Sequence, residues 1–195
     1  MIGVYSEMVA RFPIWRRRIR HLDVHVYDLA SAVPRNARSD RALNVATELA
    51  RGPAWVVAAA AVDWRRSGPR TAAALACAWM LTSASENLIK SRVKRERPFY
   101  PEPSDRTDGG PGARWSFPSG HATGAFACAT CLSLLYPRRA LASFASATGV
   151  ALARIYLRLH YPSDCLAGAA LGAAIGTAVA LPAKIVMRND DRRSR

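Results

Sequence analysis

Between Cys165 and Ala183 the chain carries no formal charge. At about 1.5 Å per residue, a helix over those positions is roughly 28 Å long, close to the hydrocarbon thickness of a bilayer. Four further apolar runs precede it: Asn44 to Val62, interrupted by Glu48 and Arg51; Thr71 to Leu88; His121 to Tyr136; and Ala140 to Leu157. Each is short or carries a charge near one end, so each alone fits a buried helix of a soluble protein as well as a membrane span. Five such runs in one chain predict an all-α fold, a polytopic transmembrane helical bundle of about five spans. Met1 to Ile14 has no continuous apolar stretch of the signal-peptide kind, so insertion is expected to rely on the spans themselves.

The chain before the first run has a different period. Trp15, Ile19, Leu22, Val26, Leu29 and Val33 recur at steps of four and three, tracing one apolar stripe on a helix that Pro13 can open. Asp23, Asp28, Arg16, Arg17, Arg18 and Arg20 make the other faces too polar to span. This predicts an amphipathic helix lying at the membrane interface, the alternative being a helix packed on the bundle or along a dimer seam. The expected organisation is an interfacial segment at 1–42, a membrane-embedded domain at 43–188 and a basic tail at 189–195. Gly168, Gly172 and Gly176 give the last span a smooth face for close helix approach. Packing within the chain is the first expectation for that face; it and the N-terminal helix are also the two places where a second copy could form a homodimer. The one long connection, Pro98 to Pro118, is rich in Pro, Gly and charge and is placed outside the bilayer.

Composition sharpens this picture. At 195 residues a single functional unit is expected, and a mean hydropathy near zero conceals the segregation of apolar runs from charge. The net charge of +14 would suit nucleic acid, but the basic residues gather at the ends of apolar runs, as at Lys90 to Arg97 and Arg138–Arg139. That is the distribution of membrane-end anchors, and no nucleic-acid motif accompanies it, so no nucleic-acid partner is expected. The excess of arginine over lysine, with abundant alanine, suggests a GC-rich bacterial genome. Cys77, Cys128, Cys131 and Cys165 all fall in apolar runs without flanking ligands and read as small packing residues rather than a redox or metal set.

With five spans, the ends at Lys90, at Ser119 to His121 and at Arg158 to Asp164 all face the same side, so one joint site can form there. Lys90, Arg97 and Arg154 supply cationic donors, and arginine presents planar pairs suited to phosphate oxygens. Ser119 and Gly120, running straight into a helix, add a hydroxyl and backbone N–H groups at the positive end of its dipole. Two histidines beside such an oxyanion site suggest opposite duties, one attacking phosphorus and one donating a proton to the leaving oxygen. His160 and Asp164 are four apart, a spacing at which the carboxylate can orient the imidazole.

The blocks Lys90-x6-Arg97-Pro98, Pro118-Ser119-Gly120-His121 and Arg154-x5-His160-x3-Asp164 resemble the tripartite signature of the type 2 phosphatidic acid phosphatases, a superfamily that also contains vanadium haloperoxidases. The resemblance implies a metal-independent phosphatase with no cofactor, a helical core and a phosphohistidine intermediate. By position, His160 resembles the nucleophile, Asp164 its orienting partner and His121 the general acid. Lys90, Arg97, Ser119, Gly120 and Arg154 resemble the phosphate ligands. Ala153 stands where the family often has serine, which would remove a minor phosphate donor. The family's membrane members usually have six spans, against five plus an amphipathic N-terminus here. Arg92, Lys94, Arg95, Arg106 and Arg158 are left as solvated or headgroup-facing charges.

A site at the membrane surface favours a phosphate carried on a lipid. The expected substrate is a polyprenyl carrier, as polyprenyl diphosphate or decaprenyl-linked phosphoribose, in a multi-pass protein of the bacterial plasma membrane. Phosphatidic acid and phosphatidylglycerol phosphate are the alternative substrates. An oxidative enzyme holding vanadate and a non-catalytic protein binding or transporting anionic lipids are the alternative classes.

Overall fold

The computed structural model describes residues 14–34, 36–50, 54, 55, 57, 68–98 and 115–193. Those residues form six α-helices and no strand: α1 (Ile14–Ala32), α2 (Ala37–Leu49), α3 (Gly68–Val93), α4 (Gly120–Leu135), α5 (Ala140–Tyr156) and α6 (Pro162–Arg193), with a 3-10 turn at Pro137–Arg139. The expected start at Pro13, about half of the run from Asn44 to Val62, most of the long connection and Arg106 lie outside the described residues.

α4 is the axis of the bundle. Every residue from Gly120 to Leu132 except Phe126 is buried, as expected of a helix that is apolar all round. Ala74 and Leu75 of α3 and Ala180 of α6 close on its Cys128, Cys131 and Leu132, and Ala147 and Val150 of α5 close on Ala125 and Ala129. Cys128 and Cys131 thus pack as small core residues.

The glycine row of α6 explains why two helices lie so close. A Cβ on Gly168 would sit 2.7 Å from the Ser119 carbonyl oxygen, one on Gly172 would stand 2.9 Å from the Ala127 nitrogen, and one on Gly176 would collide with the Ala127 carbonyl. Backbone therefore packs on backbone where α6 crosses α4. This face is filled within the chain, which corrects the expectation that it could serve a second copy.

α3 and α5 end where α4 and α6 begin, so two C-termini and two N-termini converge at one end. The first two are turned off sharply: Lys94 and Arg158 adopt left-handed φ of 47° and 60°, and the Lys94 amide closes on the Lys90 carbonyl at 3.1 Å. Among the described residues one helix, over Pro162–Asn189, is long and apolar enough to cross a membrane, whereas α4 is apolar but has only 16 residues. The outer faces of α3, α5 and α6 still expose large apolar side chains, including Met80, Leu88, Leu141, Leu152, Leu166 and Ile185.

α1 packs on the bundle, which was the alternative expectation for the N-terminal helix. Leu22 and Leu29 of the predicted stripe are exposed, with Ile19, Val26 and Val33 beside them, whereas Asp23 is buried against the start of α6. The helix docks through Asp23, with Tyr27 and Ala30 half-buried beside it, while His21, His25 and Asp28 stay exposed along with the apolar stripe. α2 ends at Leu49 with Ala50 as its cap, so Asn44 belongs to a short separate helix rather than to the start of a span.

Candidate active site

The long connection is pinned at its two ends. Glu96 pairs with Trp115 in an isolated antiparallel bridge, the Ser116 amide donates to the Arg95 carbonyl at 2.7 Å, and the Ser116 hydroxyl donates to the Glu96 carbonyl at 3.0 Å. These bonds fix the end of α3 against the turn that opens α4. On the other side, the Ser119 amide donates to the Asp164 carbonyl at 3.0 Å, tying the α4 and α6 starts together. All eight residues singled out from the sequence lie at this end of the bundle: Lys90, Arg97, Ser119, Gly120, His121, Arg154, His160 and Asp164.

Lys90 is buried and pairs with the buried carboxylate of Glu86, one turn earlier on α3. That carboxylate lies against Gly120, where any Cβ would collide with it. Arg97 donates from Nη1 to the Leu159 carbonyl at 3.2 Å, beside His160. Arg154, buried near the end of α5, donates from Nη1 to Asn44 Oδ1 at 2.8 Å and to Thr47 Oγ1 at 3.1 Å. The Ser119 hydroxyl is fully buried and reaches no oxygen or nitrogen partner among the described residues; its polar neighbour is the Cys165 thiol, a weak one. It sits at the N-cap of α4 without capping the helix, next to first-turn amides that have no carbonyl within the helix to bond.

His160 lies in the α5–α6 connection, before the helix begins at Pro162. Its Nδ1 is 2.8 Å from the Ser116 carbonyl oxygen and 3.8 Å from Asp164 Oδ2. A carbonyl only accepts, so Nδ1 carries the proton and Nε2 keeps a lone pair. Burial foremost, then the cations Arg97, Arg154 and Lys90 and the neighbouring His121, push the His160 pKa well below the ordinary histidine range. The ring is therefore neutral at physiological pH, the form a nucleophile requires.

Asp164 serves the turn more than the ring. Its Oδ2 accepts from the Tyr161 amide at 2.9 Å and its Oδ1 from Arg95 Nη1 at 2.8 Å. The four-residue spacing to His160 predicted a helical neighbour contact, but His160 is not helical and the Ser116 carbonyl is its direct partner. Arg95, expected to be solvated, instead joins three groups: Nη1 also donates to Ser163 Oγ at 2.7 Å, Nη2 donates to Asp23 Oδ2 at 2.7 Å, and the guanidinium lies 4.2 Å above the Tyr161 ring. Asp23 completes the knot by accepting from the Ser163 amide at 2.9 Å and the Ser163 hydroxyl at 2.6 Å, capping α6 from another helix. Arg92 and Lys94, by contrast, are exposed as expected.

Sequence reasoning missed Ser116, Asp23, Ser163, Glu86, Asn44, Thr47 and Glu48. Glu48 had a signal, since an acid interrupting an apolar run marks a site more often than a surface. Its Oε1 lies 2.8 Å from Nε2 of the buried His121.

The PAP2 superfamily model matches residues 71–185. A lipid A 1-phosphatase of Rhizobium johnstonii is 40% identical over 91 residues, 45% of this chain and 37% of that protein. Decaprenylphosphoryl-5-phosphoribose phosphatases are similar too: that of Mycobacterium tuberculosis is 40% identical over 102 residues, 47% of this chain and 50% of its own, and that of Mycolicibacterium smegmatis is 35% identical over 117 residues, 58% and 62%. The chain thus spans between about a third and two thirds of the length of these relatives. In structure, the transmembrane PAP2-type phosphatidylglycerolphosphate phosphatase of Bacillus subtilis superposes with a TM-score of 0.61 at 19% identity, covering 91% of this chain and 88% of its own, which shows a shared fold.

Proposed function

The chain belongs to the PAP2 superfamily, and from that premise we propose that it is an integral membrane phosphatase acting on a phosphate carried by a lipid. One observation carries the reading: a neutral, buried His160 with its Nε2 lone pair available stands among Lys90, Arg97, Arg154 and the unpartnered hydroxyl of Ser119. Three cations and a helix N-terminus hold the phosphoryl oxygens and stabilise the charge that grows on them in the transition state.

In the first step His160 Nε2 forms a bond to phosphorus as the bond from phosphorus to the lipid oxygen breaks, and His121 gives its proton to that oxygen. In the second, water attacks the phosphohistidine, the P–N bond breaks, His121 takes the water proton and inorganic phosphate leaves. Ser116 and Asp164 hold the ring and its turn throughout.

For the substrate, the similarity to decaprenylphosphoryl-5-phosphoribose phosphatases favours a polyprenyl-linked phosphoribose, followed by a polyprenyl diphosphate. α3, α4, α5 and α6 cross the bacterial plasma membrane, and the outward apolar stripe of α1 lies in the interface. Exposed leucines and valines on these helices support that placement.

The test is phosphate release by purified protein in detergent with EDTA present, across polyprenyl phosphoribose, polyprenyl diphosphate, lipid A, phosphatidic acid and phosphatidylglycerol phosphate. Release from one class, lost in His160→Ala, is expected. Equal lipid binding by wild type and His160→Ala without release from either would turn the site into a binding site and refute the reading.

A further inference from the structure

The family match begins at residue 71, yet α2, well before it, reaches the site. Asn44, Thr47 and Glu48 lie three and four apart on one face of that helix and end on Arg154 and His121. α2 is held at both ends: Asn36 Oδ1 accepts from the Arg38 amide at 2.9 Å, and the Trp55 indole donates to the Ala50 carbonyl at 2.9 Å. Glu48 is half exposed and His121 is buried, so the carboxylate sits at the rim with the imidazole beneath it.

We propose that Glu48 is a positioning residue for His121, holding the imidazole by its Nε2–H so that proton exchange with the substrate's leaving oxygen falls to Nδ1. This rests on the phosphatase reading above. The arrangement is the logic of an acid–base histidine held through its far nitrogen: the carboxylate fixes the ring and its tautomer. Glu48 of α2 meets the His121 ring nitrogen directly, Glu86 of α3 lies against the adjoining Gly120, and His121 in turn faces His160 of the α5–α6 connection, on which Arg97, Arg154 and Lys90 also act. Glu48 is the carboxylate whose oxygen meets the ring nitrogen.

The experiment is a double-mutant cycle on the full chain in detergent with wild type, Glu48→Gln, His121→Ala and the pair, each assayed on an alkyl lipid phosphate and on p-nitrophenyl phosphate. An alkoxide needs a proton to leave and nitrophenolate does not, so a general acid is worth about 10²–10⁴-fold only for the first. Glu48→Gln is expected to lower kcat on the alkyl phosphate about tenfold or more, with a small change in KM and a far smaller loss on the nitrophenyl ester. In the His121→Ala background it should add almost nothing. Glu48→Asp should recover part of the loss. Equal losses on both substrates, or a full further loss on top of His121→Ala, would overturn the positioning role while leaving the phosphatase intact. Absence of release by wild type from either substrate would instead overturn the phosphatase reading, and Glu48's role with it.

Discussion

Arg95→Ala is the perturbation on which the architecture makes its most quantitative demand. The guanidinium bridges Asp23 Oδ2 at 2.7 Å and Asp164 Oδ1 at 2.8 Å, with the two carboxylates 2% and 0% exposed. Removing the arginine leaves two buried carboxylates without their shared cation, and breaking a buried pair from one side costs about 3–5 kcal/mol. Arg95 itself is 25% exposed, so water can enter where it stood, which favours the lower end, about 3 kcal/mol. For a chain of this size each kcal/mol is worth about 2–4 °C, so the midpoint should fall by about 6–12 °C. Arg95→Lys keeps the charge but loses the fork that serves three acceptors, and should cost about 1–2 kcal/mol. Arg92→Ala, an exposed arginine three residues away, should stay within about 0.5 kcal/mol. The assay is thermal unfolding in one detergent with phosphate release measured in parallel. The turn that carries His160 is held through Asp164, and a displacement of about 1 Å at a reacting group costs on the order of 10² in rate. An Arg95→Ala protein that melts and turns over like Arg92→Ala would show that the Asp23–Arg95–Asp164 knot holds nothing.

Two further outcomes follow from the same coordinates. Because the His160 pKa is held below its unfolded value, the unfolded chain takes up that proton first as pH falls; stability from this group is present above about pH 6.5 and is lost as pH falls toward the folded value. The same shift keeps His160 neutral, so on the phosphatase reading kcat/KM should not lose activity to His160 protonation until well below pH 6.5; an acid limb centred at or above 6.5 that moves to still higher pH in Lys90→Met would refute this. Gly172→Ala should destabilise by about 1–3 kcal/mol, because its Cβ meets the α4 backbone at Thr123 and Ala127, whereas Gly149→Ala, with nothing within 4 Å, should be neutral or gain up to about 1 kcal/mol. Equal melting of the two variants would contradict the close α4–α6 crossing.

The three blocks proposed to carry the chemistry were readable because each is local: a cation at a helix end, a Ser-Gly turn into a helix, a histidine before one. What joins them was not. Arg92 and Arg95 are the same residue type two and five residues beyond the same lysine, and only the chain lying opposite distinguishes them. Asp23 is 72 residues from Arg95, Glu48 is 73 from His121 and Asn44 is 110 from Arg154. The His160–Asp164 pair forms, at 3.8 Å, by a route other than the one its spacing suggested. The four-residue rule assumes a helix, and Pro162 starts the helix two residues after His160. The glycine row announced close packing, but its partner, the small-residue face of α4, could be named only once the two helices were seen together.

The arrangement of charge also bears on what a substrate must do to bind. Buried cations are costly unless paired, and the buried Lys90 and Arg154 and the half-buried Arg97 each have a resident acceptor: Glu86 on Lys90, Asn44 and Thr47 on Arg154, the Leu159 carbonyl on Arg97. On the phosphatase reading, a phosphate that takes these donors would compete with the acceptors already on them. Against the neutral carbonyls and amide a dianion wins easily, since charge-assisted bonds are roughly twice as strong as neutral ones. Against Glu86 it competes with another anion at the same helix end. The Ser119 hydroxyl differs in kind, a buried donor that a phosphate would gain without displacing an oxygen or nitrogen partner among the described residues. Affinity for the phosphoryl group is thus set by differences between acceptors, while the resident set keeps the donors in place before substrate arrives, which is the preorganisation that electrostatic catalysis depends on.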